Sequence, residues 1–90
     1  TAGPAYPNPF NAQTVIPLDL SQTSRVEIEL FNVLGESLGS IFGGELAPGR
    51  TLVRYDASRL SSGLYFFRVE AREVPGGAVF MQIGKIMVLK

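Results

Sequence analysis

Between short punctuation marks of Gly and Pro, apolar and polar residues alternate along the chain with period two, the signature of half-buried strands. Thr14, Ile16, Leu18 and Leu20 share one face of a first run. Val26, Ile28 and Leu30 share one face of a second, with Arg25, Glu27 and Glu29 opposite; both read as antiparallel strands with one solvated face. Asn32 to Gly35 supplies a hairpin turn, its glycine suited to the positive φ that closes such loops. A weaker third strand follows over residues 37–42, and Gly43-Gly44 and Pro48-Gly49 mark the next connection. There Pro presets φ and Gly accepts the left-handed position of a type II turn.

A fourth strand spans residues 50–56, with Thr51, Val53 and Tyr55 on one side, and residues 57–63 read as a polar loop. In a fifth strand, residues 64–71, Tyr65, Phe67 and Val69 share one face and Leu64, Phe66 and Arg68 the other. A turn at Pro75-Gly76-Gly77 leads into residues 78–89, rich in β-formers and expected to break or bulge at Gly84. No segment of ten or more residues carries a 3.6-residue apolar period, so helix content should be close to nil. Six or seven short strands with frequent turns predict an all-β fold, an immunoglobulin-like antiparallel β-sandwich. A small barrel is the structural alternative.

Composition narrows the function. Ninety residues suit one domain, and 46% hydrophobic residues with six Phe and three Tyr can build one core. Eight Lys and Arg balance eight Asp and Glu, leaving no basic footprint for nucleic acid or anionic lipid. With no His and no Cys, ordinary zinc ligation, Ser-His-Asp or Cys-His nucleophiles and disulfides are closed off, and no cofactor is expected. Cys-free composition is permissive of secretion. The longest apolar runs have four residues, against about 20 for a membrane helix, so no membrane insertion is expected. Thr1 rather than Met at the start suggests a piece of a longer protein, with residues 1–5 as a linker from an upstream domain and 6–90 as the module.

The remaining candidates for chemistry are weak. Glu27 and Glu29, at i and i+2 on one strand face, stand about 7 Å apart at Cβ, within the spacing of glycosidase carboxylates. Arg25 beside them argues instead for a charge-balanced solvent face. Asp19, Asp56 and the hydroxyls of Ser61 and Ser62 lack the spacing of a calcium loop, and Asp56 suits an Asx-turn. Gly39, Gly43, Gly44 and Gly49 precede no helix that would cradle phosphate. Tyr6, Phe31, Tyr65 and Phe66 could form a sugar-stacking platform, although strand aromatics usually serve as core or cross-strand pairs.

The C-terminal run is unusual. Ile86-Met87-Val88-Leu89 presents apolar side chains to both faces between Lys85 and Lys90. It reads either as a strand buried on both faces with lysine gatekeepers, or as an extended peptide that a partner recognises by strand addition or by its terminal residues.

Four pieces in order bear on that choice: Tyr6-Pro7-Asn8-Pro9-Phe10-Asn11; Val26 to Leu30 leading into Phe31-Asn32-Val33-Leu34-Gly35; Ser61-Ser62-Gly63-Leu64-Tyr65-Phe66-Phe67-Arg68; and Lys85-Ile86-Met87-Val88-Leu89-Lys90. Together they resemble the type A C-terminal sorting domain of the type IX (Por) secretion system, over nearly the whole chain. The resemblance implies a signal, with no catalysis of its own, at the end of a secreted Gram-negative protein. Such a signal directs a periplasmic cargo through an outer-membrane translocon to the cell surface or beyond, and a sortase-like peptidase then removes it. Pro7, Asn8, Pro9 and Phe10 match the opening motif, an expected edge strand packed by Phe10, since its prolines donate no ladder bonds.

Gly35 matches the hairpin glycine, and Gly63 and Tyr65 match the Ser-Gly-X-Tyr motif. Lys85, Met87, Val88, Leu89 and Lys90 match the terminal motif, implied to contact the translocon. The chain departs from the family at Tyr55, often Trp, at Ala57, often Gly, and in a longer hairpin around residues 74–77. The cleavage point would lie upstream of Tyr6. The rival reading is an immunoglobulin-like accessory or carbohydrate-binding module retained on an extracellular enzyme, with a carboxylate hydrolase using Glu27 or Glu29 a distant third.

Overall fold

The computed structural model describes residue 2, the backbone of residues 6–8, and residues 13–89. Among these residues are seven strands and no helix: β1 (Tyr6–Asn8), β2 (Gln13–Leu20), β3 (Ser24–Phe31), β4 (Ser37–Leu46), β5 (Gly49–Asp56), β6 (Gly63–Glu73) and β7 (Val79–Val88). They form two antiparallel sheets, ordered β1-β2-β5 and β4-β3-β6-β7. The fold is the expected immunoglobulin-like sandwich. Its fourth strand pairs with β3 rather than joining the first sheet as in constant immunoglobulin domains.

The period-two faces meet in the core. Thr14, Ile16, Leu18 and Val53 from one sheet oppose Val26, Ile28, Leu30, Phe67, Val69, Ala71, Ile86 and Val88 from the other, all buried. Burying such apolar side chains between two sheets is the main driving force of the fold, at about 1.5–3 kcal/mol for each large one. β1 is an edge strand, the position that suits its one proline, Pro7. Pro9 and Phe10, with the expected packing of Phe10, lie outside the described residues.

Three expectations need correction. First, β4 runs through Gly43 and Gly44 to Leu46 instead of ending at Phe42. Gly43 faces Glu27 across the ladder, and a Cβ there would stand 2.8 Å from the Glu27 Oε2. The glycine therefore makes room for a carboxylate and does not mark a turn. Second, residues 57–62 are not a wholly polar loop. Ala57 is fully buried at the end of the core and Leu60 packs beside it, tied by the Leu60 amide donating to the Ala57 carbonyl at 3.0 Å.

Third, β7 is neither broken nor bulged at Gly84, and is not buried on both faces. It pairs without a register shift from Val79 opposite Arg72 to Val88 opposite Gly63. Gly84 lies opposite Phe67, whose ring occupies the space over the glycine, so a Cβ at 84 would overlap the ring. An aromatic covering a cross-strand glycine restores the packing that the glycine lacks. Beyond it Ile86 and Val88 point into the core while Met87 and Leu89 face outward.

Gly84→Ala is expected to destabilise the domain by about 2 kcal/mol through overpacking against Phe67, read as a lowered midpoint in denaturant. Thr14 is 1% exposed and its hydroxyl finds no partner among the described residues. Thr14→Val should therefore stabilise by about 1 kcal/mol, measured in the same titration.

Candidate functional site

The β3–β4 turn is wired by one side chain. Asn32 Oδ1 accepts from the amides of Leu34 and Glu36, both at 3.0 Å, and its Nδ2 donates to Glu36 Oε1 at 2.8 Å. Gly35 completes the turn with φ at +81° and donates to the Asn32 carbonyl at 3.0 Å. The result holds Val33 and Leu34 out in solvent. The Asn and the Gly of the Phe-Asn-Val-Leu-Gly segment thus have distinct mechanical roles.

The Ser-Gly-X-Tyr segment is a second such device. Tyr65, near the start of β6, donates its hydroxyl to the Ser61 carbonyl at 2.8 Å. A tyrosine at this corner bonding back to the backbone a few residues upstream is the tyrosine corner of immunoglobulin-like sandwiches. It closes the loop that Asp56 opens, where Oδ1 accepts from the Ser58 amide at 2.9 Å. That contact is the Asx-turn expected of Asp56.

Two motifs distant in sequence come together here. Gly63 pairs with Val88, Leu64 with Met87, Tyr65 with Ile86 and Phe66 with Lys85. The corner segment is thus the template on which the terminal segment lies. Lys85, Met87 and Leu89 are exposed, Val88 is buried in the core, and Lys90 lies outside the described residues. Pro7 and Asn8 stand on the other sheet, opposite Thr14 and Gln13.

Among the described strands, β7 has only β6 as a ladder neighbour. Its outward row, Val79, Met81, Ile83 and Met87 with Leu89 beyond, is apolar and 45% to 66% exposed. Lys85 is the one charge in that row. Beside it Phe31, Val33, Phe66, Arg68 and Ile83 line a shallow groove of about 380 Å³. Long exposed apolar edges are normally blunted by charge, proline or bulges, and β7 has one lysine.

The carboxylate and metal alternatives do not assemble among the described residues. Glu29 Oε1 accepts from Arg68 at 2.9 Å and its Oε2 accepts from Ser37 at 2.5 Å, while Glu27 pairs with Arg25 at 3.2 Å. This is the charge-balanced solvent face. Of the aromatics, Phe31 and Phe66 are cross-strand partners that line the same groove, with the Arg68 guanidinium 5.3 Å from the Phe31 centroid, while Tyr65, on the opposite face of β6, is committed to its corner. The side chain of Tyr6 lies outside what the structure describes. Among the described residues no three acidic groups are placed to share a metal ion.

One residue had no signal in the sequence reading. Gln82, on the inward side of β7, donates from Nε2 to the Ala2 carbonyl at 3.0 Å and accepts from the Ala2 amide at 3.2 Å. Its partner lies 80 positions away, beyond the reach of any local pattern.

The two-sheet sandwich with a tyrosine corner and an apolar terminal edge strand defines a small recognition module. Residues 4–75 match the family model of the secretion system C-terminal sorting domain, and the chain belongs to that family. These are the sorting domains of type IX secretion, signals for export to the cell surface or extracellular space that engage the type IX machinery. Strand β7 lies beyond the matched residues. Comparisons with curated proteins and with solved structures each returned no match.

Tyr65→Phe removes only the corner hydrogen bond. It should cost about 1 kcal/mol or less, the net worth of one such bond, with faster amide exchange confined to the loop between β5 and β6.

Proposed function

We propose that the domain carries an upstream cargo from the periplasm across the outer membrane by presenting β7 to the translocon, and that a sortase-like peptidase then removes it upstream of Tyr6. The domain has no chemistry of its own in this reading; any catalysis belongs to the cargo. The exposed apolar row on an unblunted edge strand carries the proposal. It offers one route by which extended segments are recognised, side chains at alternate positions.

In this reading the terminal motif divides by role. Lys85, Met87 and Leu89 are available to a partner, and we assign Lys90 to the same contact. Val88, with Ile86, holds the strand on the core and so contributes by keeping its neighbours presented. An electrically neutral domain without a basic patch suits recognition through apolar and backbone contacts.

Combining Lys85→Ala, Met87→Ser, Leu89→Ser and Lys90→Ala in a full-length cargo, with Ile86 and Val88 kept, separates recognition from folding. The isolated domain should melt within a few degrees of the parent while the cargo accumulates in the periplasm. Normal surface delivery of that variant would sink the reading. Mass analysis of the exported parent cargo adds a second check. A mature protein lacking the domain fits removal, and one retaining it fits an accessory module.

A further inference from the structure

Ala2 lies in the stretch expected to be linker, yet it is only 9% exposed and belongs to the core cluster. It forms an isolated antiparallel bridge with Leu18 of β2. On its other side the Gln82 carboxamide grips it through both backbone groups, donating to the carbonyl at 3.0 Å and accepting from the amide at 3.2 Å. A planar carboxamide meeting N–H and C=O of one residue reproduces the bonding of a neighbouring strand. Residue 2 therefore spans from β2 in one sheet to β7 in the other. It does so on the flank where β1 and β7 lie side by side.

The inward row of β7 shows what this contact holds. Its C-terminal half is anchored by Ile86 and Val88, buried in the core, and by Phe67 over Gly84. Its N-terminal half has Phe80, only half-buried, and Gln82, the one polar side chain in a row otherwise made of Phe80, Gly84, Ile86 and Val88. Outward, Val79, Met81 and Ile83 are exposed. Among the described residues, beyond its ladder with β6 and the packing of Phe80 against the core, the Ala2 clamp ties that half to the other sheet. A polar amide facing inward costs free energy unless its hydrogen bonds are made, and Ala2 supplies both a donor and an acceptor.

We infer that Ala2 is a strap on the terminal strand: its grip by Gln82 holds the first half of β7 closed, so that releasing it frees Val79–Ile83 from the flank. The strap couples residue 2 to a strand 80 positions away. Its consequence for export rests on β7 being the strand recognised, as proposed above. The strap itself stands on the contacts alone.

Hydrogen exchange on the 90-residue chain tests it without reference to export, comparing the parent with Gln82→Ala, Ala2→Lys and the double variant. Lysine cannot be accommodated at a buried position without a partner and expels the strap from its own side. Each single variant should speed exchange about tenfold at Val79–Ile83, in proportion to two lost hydrogen bonds, and leave the central amides of β3 and β6 unchanged. The double variant should add nothing further. Unchanged β7 exchange, an equal rise across all strands, or additive effects of the two substitutions would each overturn the strap. Gln82→Glu keeps the acceptor for the Ala2 amide and loses the donor, and should fall between parent and Gln82→Ala. Normal surface delivery of the Lys85, Met87, Leu89 and Lys90 variant, with the strap intact, would instead count against the recognition reading alone.

Discussion

The ring of Phe67 resting on Gly84 is the contact on which the rest of the molecule depends. A chain without cysteine cannot brace its two sheets with a disulfide, the brace that antibody domains place two residues after the corner tyrosine. Here Phe67 stands two residues after Tyr65 and is 1% exposed at the centre of the core. Its bulk fits only because the residue opposite has no side chain. With the ring seated, β7 runs straight, Ile86 and Val88 reach the core, and Lys85 and Met87 are turned outward opposite Phe66 and Leu64. Presentation of the terminal segment is thus a consequence of how one aromatic is housed.

The same contact explains which features could be read from the sequence. The faces of β2, β3, β5 and β6 follow from alternation, because the side chains of a strand obey a local period whatever lies around them. Glycine is different. Gly35 was legible because a hairpin needs its positive φ, whereas Gly43 and Gly84 are explained by Glu27 and Phe67 across the ladder, and no local pattern reveals a cross-strand neighbour. Ala57 was hidden for a similar reason, since a small residue in a loop shows nothing of whether the loop folds over the core. The family motifs were recognisable as strings before their mechanics were visible. Asn32 organises its turn and Tyr65 its corner, and Gln82 belongs to no motif at all.

The four-stranded sheet treats its two edges unequally. β4 carries serines, glycines and two register irregularities against β3, the devices by which exposed edges are made poor templates. β7 has an unbroken register and an apolar outward row relieved by one lysine. Between them Arg25, Glu27, Glu29 and Arg68 form local ion pairs that contribute little stability on a solvated face. They keep the middle of the sheet polar and confine the apolar surface to one margin. The groove beside Ile83 continues that margin toward the Asn32 turn, so the hairpin motif and the terminal strand share a border.

The strand that completes the sandwich is also the last of the seven to be synthesised. Until it arrives, β6 is itself an edge, Phe67 has no glycine beneath it, and Ala2 has no carboxamide to grip. Contacts that close only when residues 80 positions apart meet are slow to form, because the loop-closure entropy must be met before any contact rewards it. Domains preceding the sandwich on the same polypeptide would therefore have time to fold first. The order of synthesis makes a finished sandwich a certificate that everything upstream has already been translated.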